Sequence, residues 1–277
     1  MRYTKMHGAG NSFVILENLR GELAGEDLGV LALRICDPGR GPGADGLIVV
    51  MPPEGDEDFS MLFYNADGST GEMCGNGARC VARYGVARGL VREKDHIRFR
   101  AAAGEITARR IDEETYEVRL NDPSVIDLCR LAESDAGLVP CSYVELGDPG
   151  IPHAVVRVFP DAFDDLGALR EKGRALRQSR AFPRGANVTF AAVDGNDRVR
   201  AITFERGVED FTLACGTGCG ATAVCLCLLG DVRGDAVTVD MPGGALSVSL
   251  RREGGTVRDI LLTGPTALVE EGELALN

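Results

Sequence analysis

The chain has 277 residues, 44% hydrophobic and 26% charged, which suits a globular protein of one large or two ordinary domains with an ample core. A net charge of −12 makes nucleic acid and anionic membrane surfaces poor partners, and no run of about 18 apolar residues offers a membrane span. Nine cysteines without a CxxC pair, beside three histidines, fit neither a secreted disulfide scaffold nor a structural zinc site.

Residues 1–19 lack the basic and apolar regions of a secretory leader, so a cytoplasmic protein is expected. His7-Gly8-Ala9-Gly10-Asn11 is followed by an apolar strand-like run, Ser12 to Leu16. Further strands are predicted over 46–51 and 60–64. A polar turn, Asn65-Ala66-Asp67-Gly68, then leads to Cys74-Gly75-Asn76-Gly77 and a helix through 89. Strands over 96–101 and 116–120 precede the turn signal Asn121-Asp122-Pro123, where a domain boundary is placed.

The second half repeats the plan. His153 is followed by an apolar run over 154–158, then by an amphipathic helix over 161–179 with Phe163, Leu166, Leu169 and Leu176 at helical spacing. Arg184-Gly185-Ala186-Asn187 opens a strand over 188–193, and a second strand follows over 198–204. Glu205-Arg206-Gly207 leads to Cys215-Gly216-Thr217-Gly218 and a helix to 229 that is apolar nearly all round, as expected of one wrapped by sheet. Strands over 236–240 and 246–251 follow, and the segment from 263 reads as a strand returning to the first domain.

Asn65 stands nine residues before Cys74, as Arg206 does before Cys215; Asn11 stands 63 before Cys74, and His153 62 before Cys215. Several matched anchors argue for an internal duplication. The expected fold is α+β: two pseudo-symmetric lobes, each a curved mixed β-sheet wrapped around a central helix. The first comprises 1–120 with the strand 263–277 returning to it, the second 121–262, with the active site in the cleft between them.

A thiol at a helix N-terminus is readily made a thiolate. The N–H groups of Gly75, Asn76, Gly216 and Thr217 would point outward and bind a carboxylate, and glycine lets a ligand approach the backbone. Two such ends at one amino acid would set Cys74 and Cys215 on opposite faces of its α-carbon. The thiolate would take the α-proton while the thiol gives one to the other face. His153 and Glu205 are candidate partners that draw the proton from the cysteines. Cys36, Cys80, Cys129, Cys141, Cys225 and Cys227 read instead as buried and inert, Cys219 as packing, and His96 as solvated. His7 lies beside the candidate site in sequence. A thiol redox sensor, with Cys74 and Cys215 as a regulatory disulfide, and a non-catalytic amino-acid-binding module remain open.

Several segments resemble the diaminopimelate epimerase family. They are Met6 to Phe13, Tyr64 to Ser69, Glu72 to Arg79, Gly185 to Val188, Glu205 to Glu209, Leu213 to Gly218, Pro242-Gly243-Gly244 and Leu262 to Pro265. The resemblance implies a cofactor-independent isomerase that interconverts LL- and meso-2,6-diaminopimelate for lysine and peptidoglycan precursors, with no pyridoxal phosphate and no metal. It implies Cys74 and Cys215 as the acid/base pair, and Gly75, Asn76, Gly216 and Thr217 on the reacting carboxylate. Asn11, Asn65, Asn187, Glu205 and Arg206 bind the substrate, several at its distal end. The resemblance also implies a homodimer whose partner molecules are otherwise small amino acids. Two departures touch substrate range: Ile151 stands where the family often has Asn, and Phe211 where it usually has Glu. Proline, hydroxyproline and histidine racemases share the two-thiol logic; the first pair have a His in the place of Asn76.

Overall fold

The computed structural model describes residues 1–71, 74–134, 137–195 and 197–275. The chain forms two compact units. One is Met1–Arg119 with the segment from Thr263 onward, and the other is Leu120–Leu262.

In the first unit a hairpin joins Arg2–Gly8 to Asn11–Glu17. Asn11–Glu17 runs parallel to Gly46–Met51, which pairs antiparallel with Phe59–Asn65; that strand runs parallel to Ile97–Ala101, which turns back antiparallel into Gly104–Arg110. Ala267–Glu273 lies antiparallel to Arg2–Gly8. Helix α1 (Leu28–Cys36) links the first parallel pair, and helix α2 (Gly75–Arg88) links the second.

Strands Asn11–Glu17 and Gly46–Met51 are buried on both faces, which is why they read as continuous apolar runs. On one face Val14, Leu16, Leu47 and Val49 pack with Leu31, Ala32 and Ile35 of α1. On the other, Phe13 and Ile48 approach Gly77 of α2. Strands from both ends of the sheet touch α2, so the sheet curls around it.

The second unit has the same order. Gly137–Gly147 and Gly150–Arg157 form a hairpin; Gly150–Arg157 runs parallel to Asn187–Val193. Asn187–Val193 is antiparallel to Arg198–Phe204, which runs parallel to Ala236–Met241; that strand is antiparallel to Gly244–Glu253. Helices α3 (Leu166–Arg177) and α4 (Gly216–Leu229) fill the two crossovers. Helix α3 buries Leu169, Gly173 and Leu176 against Val156, Val188 and Phe204, whereas α4 is buried all round. The order of paired strands and crossover helices in the first unit thus recurs in the second, as a duplication requires.

Four differences from expectation have physical reasons. Helix α1 was not expected; its apolar run is short enough to pass for a strand, and the Asp27 cap that accepts from Gly29 N and Val30 N reveals it only in three dimensions. The helix expected over 161–179 is a 3-10 turn, Pro160–Asp164, followed by α3, whose N-cap is Asp165. Pro123–Ser134 and Gly137–Gly147 form a long hairpin whose first strand buries only Ala132, so no buried apolar run announced it. Cys129, expected to be buried, is exposed in that strand, beside a register irregularity between Asp127 and Arg130.

Candidate functional site

In the first unit the site begins at the Ala9-Gly10 turn. Both residues have positive φ, 50° and 83°, as the primed hairpin turns require. That turn sets Asn11 opposite Gly8. Asn11 Nδ2 donates to Asp45 Oδ2 at 3.0 Å, and the same oxygen accepts from Ser12 N at 2.6 Å and Ser12 Oγ at 3.0 Å. Asn11 Oδ1 accepts from Asn76 Nδ2 at 3.3 Å and faces Cys74 Sγ at 3.7 Å. A Cβ on Gly8 would sit 3.1 Å from Asn76 O, so glycine there lets α2's first turn meet the hairpin.

Cys74 is the N-cap of α2, with φ −131° and ψ 111°; its Sγ accepts from Gly77 N at 3.4 Å, in the manner of a Ser or Asp cap. Arg79, fully buried one turn on, donates to Asn76 Oδ1 at 2.8 Å and to Gly75 O at 3.3 Å. Asn65 ends its strand opposite Gly46, which lies opposite Phe13, so Asn65 and Asn11 share one end of the sheet. Its Nδ2 donates to Ser69 Oγ at 3.0 Å across the Gly68 turn. His7 Nδ1 accepts from Gly10 N at 3.4 Å, which ties it to the same hairpin.

The second unit builds the matching centre. Cys215 caps α4 with φ −119° and ψ 105°; its Sγ accepts from Gly218 N at 3.3 Å and lies 3.7 Å from Thr217 Oγ1. A Cβ on Gly218 would be 3.1 Å from that sulfur. Asn187 opens its strand, and its Oδ1 accepts from Arg206 N at 2.8 Å. The Arg206 guanidinium donates to Arg184 O at 3.1 Å, and Glu205 Oε1 accepts from Thr212 Oγ1 at 2.6 Å.

Burial, and then the Glu205 carboxylate, push the Cys215 thiol well above its ordinary range; Thr217 and Gly218 N–H pull the other way. Burial holds His153 down to about 3, with the Arg206 charge adding to it, so the imidazole is neutral at physiological pH. His153 is fully buried, and neither ring nitrogen has a hydrogen-bond partner among the described residues. Spacing paired His153 with Asn11, but the sheet register differs: His153 lies opposite Asn187 as Phe13 lies opposite Gly46. His153 thus holds the core position that Phe13 holds in the first unit.

Within the first unit the structure gathers Asn11, Asn65, Cys74, Gly75 and Asn76; within the second, His153, Asn187, Glu205, Arg206, Cys215, Gly216 and Thr217. Sequence reasoning missed Asp45 and Arg79. Asp45 was visible only as part of a Gly-rich turn, and Arg79 lies at i+3 from Asn76, where a helix brings side chains together. Of the two departures, Ile151 is half-buried opposite Leu146, and Phe211 packs edge-on against Phe190 and Phe204 with ring centroids 6.4 and 6.0 Å apart. Glu72 and Met73, part of the first cysteine motif, lie outside the described residues. Cys36, Cys80 and Cys225 are each buried with a thiol pushed up to about 12, and Cys141 to about 11, so none is a nucleophile near neutrality. Among the described residues, no three His, Cys, Asp or Glu side chains come together in a metal-holding group. Among the described residues no helix is long and apolar enough to cross a membrane.

A sequence model of diaminopimelate epimerase matches residues 3–126 and 147–269. The diaminopimelate epimerase of Hydrogenobaculum sp. is 34% identical over 284 residues, covering 99% of each chain. That of Chlorobaculum tepidum is 36% identical over 280 residues, covering 98% of this chain and all of its own. Among solved structures, a phenazine biosynthesis protein of the PhzF family from Bacillus anthracis superposes with a TM-score of 0.75 at 14% identity, covering 100% of this chain and 99% of its own. A probable proline racemase from Agrobacterium radiobacter K84 gives 0.73 at 19%, covering 100% and 93%. These structural likenesses concern the fold.

Proposed function

The chain belongs to the diaminopimelate epimerase family, and from that premise we propose that it interconverts LL- and meso-2,6-diaminopimelate by moving a proton between two cysteines. One observation carries the proposal. Each unit places a cysteine at the N-cap of a 14-residue helix, with Sγ 3.4 or 3.3 Å from the third helical N–H.

In this proposal Cys74 and Cys215 flank one α-carbon. The thiolate of one removes the α-proton, and the thiol of the other delivers its own proton to the opposite face. The α-carbon is inverted, the proton count is unchanged, and the cysteines exchange roles for the reverse direction. The developing negative charge needs donors already in place. The N–H groups of Gly75 and Asn76, and of Gly216 and Thr217, supply them at the two positive helix ends, on the reacting carboxylate. Arg206 suits a distal carboxylate and Glu205 a distal ammonium. Asn11, Asn65 and Asn187 orient that end; Asn187 Oδ1 is already engaged by Arg206 N, which leaves its amide as donor to a ligand. His153, neutral and without a hydrogen-bond partner among the described residues, supports the site as a buried wall in this proposal.

The reaction needs no pyridoxal phosphate, since the N–H cradle takes the place of an electron sink. A cytoplasmic setting belongs to the same proposal because the thiol pair must stay reduced; a homodimer is carried over from the family resemblance alone.

Proton NMR in D2O under reducing conditions tests it, with LL-diaminopimelate, proline and histidine in separate tubes. Deuterium is expected at the α-position of diaminopimelate alone, with meso product appearing. Exchange in proline or histidine alone would move the substrate and keep the chemistry. Silence in all three tubes, with the thiols shown to be reduced, would overturn the proposal.

A further inference from the structure

Cys74 faces two opposing influences. Gly77 N–H and the positive end of α2 favour its thiolate, while Asn11 Oδ1, at 3.7 Å, can only accept a hydrogen bond from its thiol. Which influence prevails depends on which way the Asn11 amide points. An isolated amide could turn either end to the sulfur, so its direction is assigned from its partners.

Those partners form a chain with fixed polarity. Arg79 donates to Asn76 Oδ1 at 2.8 Å, Asn76 Nδ2 donates to Asn11 Oδ1 at 3.3 Å, and Asn11 Nδ2 donates to Asp45 Oδ2 at 3.0 Å. A guanidinium can only donate and an ionised carboxylate can only accept. Turning Asn76 over would point its NH2 at a guanidinium that is fully buried, and turning Asn11 over would set its oxygen against a carboxylate. Asp45 is also held in place, because its Oδ2 collects Ser12 N and Ser12 Oγ.

We infer that Asp45 and Arg79 are positioning residues: the one-way chain Arg79–Asn76–Asn11–Asp45 fixes the Asn11 carbonyl toward Cys74 and holds that thiol protonated until substrate arrives. The inference rests on the reading of Cys74 as an acid/base group. The second unit has no such chain, for Thr217 and Gly220 stand at the helical positions of Asn76 and Arg79. The two thiols thus have different neighbours: burial and then Glu205 act on Cys215, whereas an oriented amide faces Cys74.

The elements packed on α2 bring further titratable groups: His7 on Arg2–Gly8, Glu17 on Asn11–Glu17, and the Arg109–Glu117 pair on Gly104–Arg110 and Thr115–Arg119. Helix α2 itself carries Arg79, Cys80, Arg83, Tyr84 and Arg88. Only Asp45 is changed in the test that follows.

The test compares Asp45→Ala with Asp45→Asn and reads, by peptide mass spectrometry, the rate at which Cys74 is alkylated as a function of pH. Both variants remove the charge, but only the alanine removes the acceptor. Asp45 is exposed, and Cys215 in the same sample serves as the internal reference. With Asp45→Ala the Asn11 amide loses the acceptor at its NH2 end and only the 3.3 Å bond from Asn76 still holds its oxygen toward the sulfur; the NH2 then turns to the sulfur part of the time, and the Cys74 midpoint is expected to fall by up to about one pH unit, at most roughly tenfold faster alkylation at neutral pH. With Asp45→Asn, whose carbonyl still accepts from Asn11, the parent profile is expected. An unshifted Cys74 profile in Asp45→Ala would overturn the inference. So would an equal shift in both variants, which would make charge the cause. No substrate is used, so the result is readable whether or not the protein epimerises diaminopimelate.

Discussion

At the scale of single residues, Cys215 shows how far surroundings can hold a thiol from its reactive form. Burial is the larger cause and the Glu205 carboxylate the next, against the pull of Thr217 and the Gly218 N–H. A thiol raised in this way is protonated through neutral pH and becomes a base only when something offsets those two causes. Glu205→Gln removes one of them and leaves the burial. The pH at which Cys215 becomes reactive toward a small thiol reagent is expected to drop, with Cys74 as the unchanged comparison. An identical Cys215 profile in the variant would show that burial alone sets the value. The residue types at this site were legible in the sequence, because a cysteine before Gly-x-Gly announces a thiol at a helix start. The direction of the Glu205 effect was not. A carboxylate beside a thiol can serve as its base or simply hold its proton on, and only placement distinguishes the two.

At the scale of elements, α2 and α4 are built alike from end to end. Each has a cysteine at the N-cap and a glycine at the C-terminal end, Gly89 at φ 69° and Gly230 at φ 80°, whose N–H returns to carbonyls of the last turn. Nothing lies within 4 Å of a Cβ built on either glycine, so a side chain there would meet only the left-handed backbone. Gly89→Ala and Gly230→Ala are each expected to cost about 1 kcal/mol in thermal or denaturant unfolding, without altering the pH profile of the thiols. A loss of several kcal/mol would mean that the glycines pack against something. Gly220 in α4 contrasts with them, since its Cβ would sit 2.7 Å from Leu120 Cδ1. Both helices could be read from sequence because their flanking Gly residues and apolar bodies are local signals. Helix α1 could not, since nine residues rich in Leu and other apolar side chains fit either period.

At the scale of the molecule, the duplicated units differ where their chemistry differs. His153 occupies the core position of Phe13, and burial keeps it neutral down to about 3 against an ordinary 6.5. In the unfolded chain it takes a proton below 6.5, while in the folded chain it takes one only near 3. Folding stability from this residue is therefore complete above 6.5 and falls as pH drops toward 3, by about 1.4 kcal/mol per pH unit in that window. His153→Phe is expected to flatten that part of the stability–pH curve, measured as urea midpoints from pH 7 to pH 4; an unchanged slope would show that other groups carry it. The sequence by itself determined the α+β duplication, the two capping cysteines and the family, because each rests on local pattern or on motifs that survive at 34% identity. The tertiary structure alone decided that His153 is core, that Cys129 is exposed, and that Asp45 and Arg79 meet through two asparagines. Those facts depend on strand register and on side chains tens of residues apart in the chain, and no window of sequence contains the contact that fixes them.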